Sequence, residues 1–181
     1  MTTAKPVSVT LLYGGLAGLG MILFTLAMYK AGPTVFLSST VYGMYLIPLV
    51  CGVIAALVEK RRGQGWLEFR PALRICFGIL VLSTVLQTAF TWLLVHVIDP
   101  GFGKQLTPLL LANMEANYRR FGMPEDEISR NLAAAKGEDL FSFGSMALGL
   151  ARDYIIGFPI SLLLAVVLRR QKPAVKQHKT Q

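Results

Sequence analysis

The side chains with the greatest scope for chemistry in this sequence are polar residues inside long apolar stretches. Arg152 and Asp153 interrupt the apolar stretch 140–168, and Tyr154 follows them directly. An Asp or Arg at the centre of a bilayer costs on the order of 2.5–3.5 kcal/mol, so such residues usually pair or line a cavity. At about 1.5 Å per helical residue, Asp153 lies roughly 24 Å from Arg169, near the outer boundary of a hydrocarbon core about 30 Å thick. A structural ion pair and a functional acid both fit this position.

A second polar group lies in the preceding apolar stretch, 75–97. Its hydroxyl and amide side chains fall at positions i, i+3, i+4 and i+7, on one face of a helix. Such groups in hydrocarbon seek partners on other helices, so interhelical hydrogen bonding is one interpretation. The other is a small polar cavity that opens outward. Its predicted lining is Thr84, Gln87, Thr88, Thr91, Arg152, Asp153 and Tyr154.

Other familiar kinds of site lack a residue pattern in this sequence. Two cysteines, Cys51 and Cys76, are too few for a disulfide framework or a four-cysteine zinc site. Neither His96 nor His178 has partners at metal-ligand spacing. No Ser-His-Asp set, phosphate-binding glycine loop or pair of catalytic acids is evident, nor is a nucleic-acid-binding motif. We therefore expect a protein that is not an enzyme and has no metal, cofactor or nucleic-acid partner.

Composition indicates which elements must position these side chains. Hydrophobic residues make up 54% of the chain and charged residues 15%, against about 25% charged in ordinary soluble domains. The apolar stretches 9–29, 39–58, 75–97 and 140–168 are each long enough for a span of about 20 residues. They must be helical because lipid offers no partners to backbone amides. The sequence predicts an all-α fold, a four-transmembrane-helix bundle that forms one integral membrane domain over 1–181.

Basic residues predict the orientation of these spans. The chain has 18 Lys and Arg against 10 Asp and Glu, and the bases gather at the ends of spans. Positive charge is retained on the cytoplasmic side, so both termini, including the tail 169–181, are expected there and the segment 99–139 outside. The same bases are expected to contact anionic lipid. They include Lys60, Arg61, Arg62, Arg70, Arg74, Arg169 and Arg170.

The outward segment 99–139 is predicted to form a helical hairpin. Thr107-Pro108 is typical of an N-cap followed by the first helical residue, and Gly122 is typical of a helix end. A second helix begins in the acidic run Glu125-Asp126-Glu127, which complements a helix dipole, and ends at Gly137. The apolar faces of this hairpin suit packing on the membrane surface or docking of a partner.

Small residues recur at every fourth position of the last apolar stretch. Such a ridge allows a neighbouring backbone to approach closely, and the first stretch contains a similar glycine pair. We predict tight helix packing at Gly14, Gly18, Gly149, Gly157, Ser161 and Ala165.

Several short motifs occur in a recognisable order along residues 9–172. They are Tyr13-Gly14-Gly15-Leu16-Ala17-Gly18, Gly65-Trp66-Leu67-Glu68-Phe69, Gly122-Met123-Pro124-Glu125-Asp126-Glu127-Ile128, Phe158-Pro159-Ile160 and Arg169-Arg170. In this order the sequence resembles an uncharacterised family of bacterial integral membrane proteins, domain of unknown function 4199. The resemblance implies the same architecture, a bacterial inner-membrane location, and an acidic residue before the proline of the last helix, which is Asp153 here. It implies no activity.

Two functional hypotheses follow from these observations. The first is a non-enzymatic accessory or assembly component that binds a membrane partner, either another protein or a second copy of the chain. The alternative is a small oligomeric transporter or channel that uses Asp153 and the polar face of the third span. In both, the lipid bilayer is itself a partner.

Overall fold

The computed structural model describes residues 8–137 and 139–170, and most of this part of the chain is helical. A 3-10 turn at Ser39–Tyr45 leads into the third helix, and a π-helical turn at Leu94–Ile98 extends the fourth. The α-helices of the described residues are α1 (Val9–Ala31), α2 (Pro33–Phe36), α3 (Leu46–Arg62), α4 (Phe69–Leu93), α5 (Pro100–Arg120), α6 (Glu125–Gly137) and α7 (Phe143–Leu168).

Among the described residues, four helical segments are long and apolar enough to cross a membrane, which confirms the predicted all-helical class and gives four candidate spans, as predicted. They are Val9–Ala31, Tyr42–Arg62, Phe69–Ile98 and Phe143–Leu168. The third segment begins at Phe69, whereas the prediction began it at residue 75. The prediction started after the last charged residue, but a helix can continue through charged residues once it has left the hydrocarbon.

Helix α4 lies at the centre of the fold and contacts α1, α3 and α7. Helix α1 also packs on α3, whereas α1 and α7 make no contact in the described part of the chain. The α1–α4 contact depends on two of the predicted packing glycines. A Cβ atom at Gly14 would lie 2.8 Å from a Leu82 methyl, and one at Gly18 would lie 2.6 Å from a Leu86 methyl. The absence of side chains at these positions therefore sets the distance between the helices.

One end of the fold collects all the bases predicted to contact lipid, because α3 ends there, α4 begins there and α7 ends there. Leu67 and Arg170 exchange backbone hydrogen bonds of 3.0 and 2.8 Å, which join the α3–α4 loop to the end of α7. Lys60 Nζ donates to the Leu168 carbonyl at 3.3 Å, and the Arg170 guanidinium lies 5.4 Å from the centre of the Trp66 ring.

The opposite end carries α5 and α6. Helix α5 begins at Pro100, so the predicted start at Thr107-Pro108 is wrong, and Pro108 lies inside the helix. Asp99 is the N-cap instead, since its Oδ1 accepts the Phe102 N–H at 3.0 Å. This earlier cap allows the helix to start directly after the third span. Gly122, at φ +72°, ends α5 as predicted.

Helices α5 and α6 are joined by a short turn and contact each other. The Met123 N–H donates to the Tyr118 carbonyl at 3.1 Å, and the Gly122 N–H donates to that of Arg119 at 3.0 Å, which is a Schellman pattern. Ile128 is the buried residue of α6. In the described part of the chain, α6 contacts no helix other than α5.

Candidate functional site

A cavity of about 440 Å³ lies between the beginning of α3, the middle of α4 and the central part of α7. Its lining divides into a polar group and an apolar group. The polar group is Tyr42, Tyr45, Thr84, Arg152 and Asp153, and the apolar group is Leu49, Leu80, Ile156, Gly157 and Ile160.

The apolar floor of the cavity depends on the close approach of α7 to α4. A Cβ atom at Gly157 would lie 2.8 Å from a Leu80 methyl, so only glycine fits here without displacing that leucine. One turn later, the buried Ser161 hydroxyl donates to the Gly157 carbonyl at 2.8 Å, and Ala165 is fully buried. These three small residues form the closely packed part of the α7 contact face.

Gly149 is a predicted packing position that the structure places in open space, since a Cβ atom there would meet no other atom within 4 Å. The reason is helix geometry. Residues four apart drift about 40° around a helix of 3.6 residues per turn, so Gly149 lies about 80° from Gly157. The small-residue repeat is therefore longer than the surface it shares with α4.

The polar end of the cavity is organised around Asp153. The Tyr45 hydroxyl donates to Asp153 Oδ2 at 2.8 Å and so joins the second span to the last. Asp153 Oδ1 lies 3.8 Å from Arg152 Nη2, an ion pair longer than an ordinary N–H···O bond. The Asp153 side chain is 22% exposed and that of Arg152 is 76% exposed. The polar end of the cavity therefore combines a carboxylate fixed by a short hydrogen bond with an exposed guanidinium that makes only a long ion pair.

Thr84 contributes a hydroxyl from α4 to this site. The hydroxyl donates to the Leu80 carbonyl at 2.8 Å, within its own helix, and lies 3.5 Å from the Tyr154 hydroxyl. The Tyr154 ring in turn packs edge-to-face with Phe77, at 6.2 Å between centroids. Tyr154 therefore lies behind the cavity wall and does not line the cavity.

Three residues of the predicted polar face lie away from this cavity. Gln87 Nε2 donates to Thr91 Oγ1 at 3.0 Å, and Thr91 donates back to the Gln87 carbonyl at 3.0 Å. Thr88 borders a separate apolar space of about 370 Å³. Residues four apart on a helix are neighbours, so Gln87 and Thr91 find hydrogen-bond partners within α4.

Sequence reasoning missed the two tyrosines of the site, Tyr42 and Tyr45. Their i, i+3 spacing near the start of the second span was a usable signal, because it places both phenols on one face of a helical turn. Nothing in the sequence pattern, however, connects Tyr45 with Asp153, which is 108 positions away.

The described residues contain no group of three or more His, Cys, Asp and Glu side chains arranged to hold a metal ion. Among the described residues, the ionisable side chains that line the cavity are two phenols, one guanidinium and one carboxylate. This set can bind a ligand through charge, hydrogen bonds and aromatic rings.

A family model described as "Protein of unknown function (DUF4199)" matches residues 12–170. The chain belongs to this family, as the order of its sequence motifs predicted. No curated protein and no solved structure gives a significant match.

Proposed function

We propose that this protein is a multi-pass membrane protein that binds a ligand dissolved in the bilayer, and that the ligand occupies the cavity between α3, α4 and α7. The observation that carries the proposal is the cavity itself. Its volume of about 440 Å³ falls within the roughly 300–1,000 Å³ of ordinary ligand sites. Like those sites, it combines an apolar lining with a few convergent polar groups.

The position of the cavity supports a ligand that enters from the membrane. Ile156 and Ile160 line the cavity and are also exposed on the surface of the helix bundle, Ile156 to 58%. Both follow Asp153 in the direction of the membrane centre, so this rim faces hydrocarbon. A molecule that already resides in the bilayer can reach the cavity without crossing water.

The proposed location is the cytoplasmic membrane of a bacterium, with the basic end of the fold on the cytoplasmic side. The support for this orientation is the grouping of bases at the ends of α3 and α7 and the start of α4, together with the retention of positive charge on that side. On this topology the polar end of the cavity lies near the outer surface, and the basic end contacts anionic lipid.

The transporter hypothesis also requires a ligand to bind at Asp153. Of the polar residues predicted on α4, Thr84 lines the same cavity as Asp153. The test compares two tryptophan substitutions on α7. Ile156→Trp fills the cavity, whereas Ile155→Trp adds the same bulk at a residue that is exposed and does not line it.

Protein purified from native membranes in mild detergent is extracted with organic solvent, and the co-purified molecules are quantified per protein chain by mass spectrometry. Wild type and Ile155→Trp should carry a molecule that Ile156→Trp lacks. Equal contents in all three proteins would contradict ligand binding in this cavity, because lipids bound elsewhere are common to all three.

A role as an accessory component has one specific observation in its favour. Helix α6 contacts only α5 in the described part of the chain, and Phe121 in the connecting turn is 84% exposed. We propose this surface as the place where a protein partner would bind.

A photoreactive amino acid at Phe121 should then form one discrete crosslink in native membranes, and the crosslink should disappear when Ile128→Asp detaches α6. Diffuse labelling of lipid alone would contradict binding of a protein partner at this surface.

A further inference from the structure

We propose that the ligand of the cavity is a zwitterionic phospholipid or lysophospholipid, whose ammonium group binds Asp153 and whose phosphate binds Arg152. This inference rests on the proposed ligand-binding function and adds the chemical class of the ligand. It follows from the charges at the polar end of the cavity, the tyrosines around them and the direction in which the lining becomes apolar.

The charges favour a ligand that carries both signs. A lone cation at Asp153 would meet the neighbouring Arg152, and a lone anion at Arg152 would meet Asp153. A headgroup with an ammonium and a phosphate satisfies both side chains at once. The long 3.8 Å separation between Arg152 Nη2 and Asp153 Oδ1 means that little is lost when the exposed guanidinium turns from the carboxylate to a phosphate, which it can bind with two parallel hydrogen bonds.

The two tyrosines suit the ammonium half of the headgroup. Tyr45 donates to Asp153 Oδ2 at 2.8 Å and thereby fixes the carboxylate. Asp153 Oδ1, which lies 3.8 Å from Arg152 Nη2, becomes available to the ammonium group when the guanidinium turns to the phosphate. Tyr42 and Tyr45 also both line the cavity. Aromatic faces attract ammonium groups electrostatically, most strongly where water is excluded. A carboxylate bonded to one phenol, with a second phenol in the same lining, therefore suits an amine better than a neutral polar group.

The apolar part of the lining lies in the direction of an acyl chain. Along α7 the cavity passes from Asp153 to Ile156 and Ile160, a distance of about 10 Å toward the membrane centre. Leu49 and Leu80 contribute apolar surface from α3 and α4. The cavity thus becomes apolar in the same direction as the bilayer around it. A lipid can enter with its headgroup at the interface and its chain in hydrocarbon, whereas a water-soluble zwitterion would leave the apolar lining without a partner.

Binding of three defined amphiphiles to the purified full-length protein in detergent tests the inference. Phosphatidylethanolamine carries both charges, phosphatidylglycerol carries the phosphate without the ammonium, and a long-chain alkylamine carries the ammonium without the phosphate. Native mass spectrometry gives the affinity of each, and only binding that Ile156→Trp removes is attributed to the cavity, since the basic end also attracts anionic lipid. We expect phosphatidylethanolamine to bind about tenfold more tightly than either of the others, the size of one lost charge-assisted hydrogen bond.

Two variants test the two charged contacts one at a time. Asp153→Asn should weaken phosphatidylethanolamine about tenfold and leave phosphatidylglycerol unchanged or tighter. Arg152→Gln should weaken phosphatidylethanolamine similarly and leave the alkylamine unchanged or tighter. Arg152 is exposed, so Arg152→Gln is expected to fold even if Asp153→Asn does not, and circular dichroism checks both.

The outcomes separate the two proposals. Equal affinity of wild type for all three amphiphiles, or unchanged phosphatidylethanolamine binding in Arg152→Gln, would overturn the zwitterion assignment while the cavity remained a ligand site. If Ile156→Trp changes the binding of none of them, and also lacks no native molecule, the proposed function itself is overturned.

Discussion

Tyr45 and Asp153 join two spans through one hydrogen bond between side chains that are far apart in the sequence. A carboxylate near the boundary of the hydrocarbon needs a partner. The adjacent Arg152 provides an opposite charge, but its guanidinium is too far from the carboxylate for a short hydrogen bond. The phenol supplies the short contact. Its hydroxyl keeps the carboxylate in a fixed place at the polar end of the cavity, and the same bond holds the start of α3 near α7.

Replacing Tyr45 with phenylalanine should therefore destabilise the protein without changing its apolar packing. Hydrogen bonds between membrane helices contribute about 0.6–2 kcal/mol, and we expect a loss in that range. Thermal unfolding in detergent measures it. Tyr42→Phe is the matched control, because this neighbouring tyrosine is 71% exposed. Equal unfolding temperatures for Tyr45→Phe and wild type would mean that the bond contributes nothing to the fold.

The glycines of α1 allow a second prediction at the scale of single residues. Gly18→Val would place a Cβ atom 2.6 Å from a Leu86 methyl and 3.1 Å from the Leu86 Cβ, so either the Leu86 side chain must change conformation or α1 must move away from α4. Overpacking of this kind costs about 1–3 kcal/mol. Gly15→Val changes helix propensity equally but meets no atom within 4 Å. Unfolding in detergent should separate the two variants, and a similar loss in both would attribute the effect to propensity alone.

The small residues show which helix-packing positions could be predicted from the sequence. Gly14, Gly18, Gly157, Ser161 and Ala165 are buried, and close contact explains why small side chains occur there. Gly149 belongs to the same repeat and yet faces open space. The repeat identifies a ridge on the helix, but which part of that ridge meets a neighbour depends on helix drift and crossing angle, and neither is evident in one sequence.

Among the helices, the clearest difference between expectation and structure is the start of α5. Thr107-Pro108 has the residue types of a helix start, yet the Thr107 hydroxyl donates to the Gly103 carbonyl at 3.1 Å inside a continuous helix. Asp99-Pro100 has the same character and lies directly after the third span. Two equivalent signals occur, and the contacts of Phe102 with Tyr29 and Phe36 explain why the earlier one is used.

Asp99 is expected to control how α5 leaves the membrane. Its Oδ1 caps the helix at Phe102, and its Oδ2 accepts the Tyr29 hydroxyl at 3.0 Å, which ties α5 to the end of α1. Asp99→Ala removes both bonds and should cost about 1–2 kcal/mol, the usual range for a lost N-cap. The expected result is amide hydrogen exchange about tenfold faster in the first turn of α5.

The control for that experiment is Asp99→Asn. Asparagine keeps a carbonyl oxygen for the Phe102 N–H, and its amide can donate to the Tyr29 hydroxyl, so exchange should stay near wild type. Exchange that rises equally in both variants would show that the negative charge at the N-terminus of α5, and not the hydrogen bonds, holds the helix in place.

At the scale of the whole molecule, the four candidate spans followed from the positions of the long apolar stretches, because lipid permits few alternatives to a long apolar helix. Their arrangement did not. Helix α4 lies between α1 and α7, which make no contact in the described residues. The cavity lies where α3, α4 and α7 meet. Which helices pack together depends on the shape of their surfaces along their whole length. For this reason Asp153 could be predicted as a site residue, whereas its hydrogen bond with Tyr45 could not.

The orientation of the whole molecule decides which leaflet can supply a ligand to the cavity. Gln64 is exposed at the basic end, and Ala134 is exposed on α6 at the other. With one cysteine introduced at either position, a membrane-impermeant maleimide should label Ala134→Cys in intact spheroplasts and Gln64→Cys only after permeabilisation. The parent chain is the control for Cys51 and Cys76, which are half-buried and buried. The reverse pattern would place the bases outside and Asp153 near the cytoplasmic leaflet, so that the cavity would draw its lipid from the inner surface.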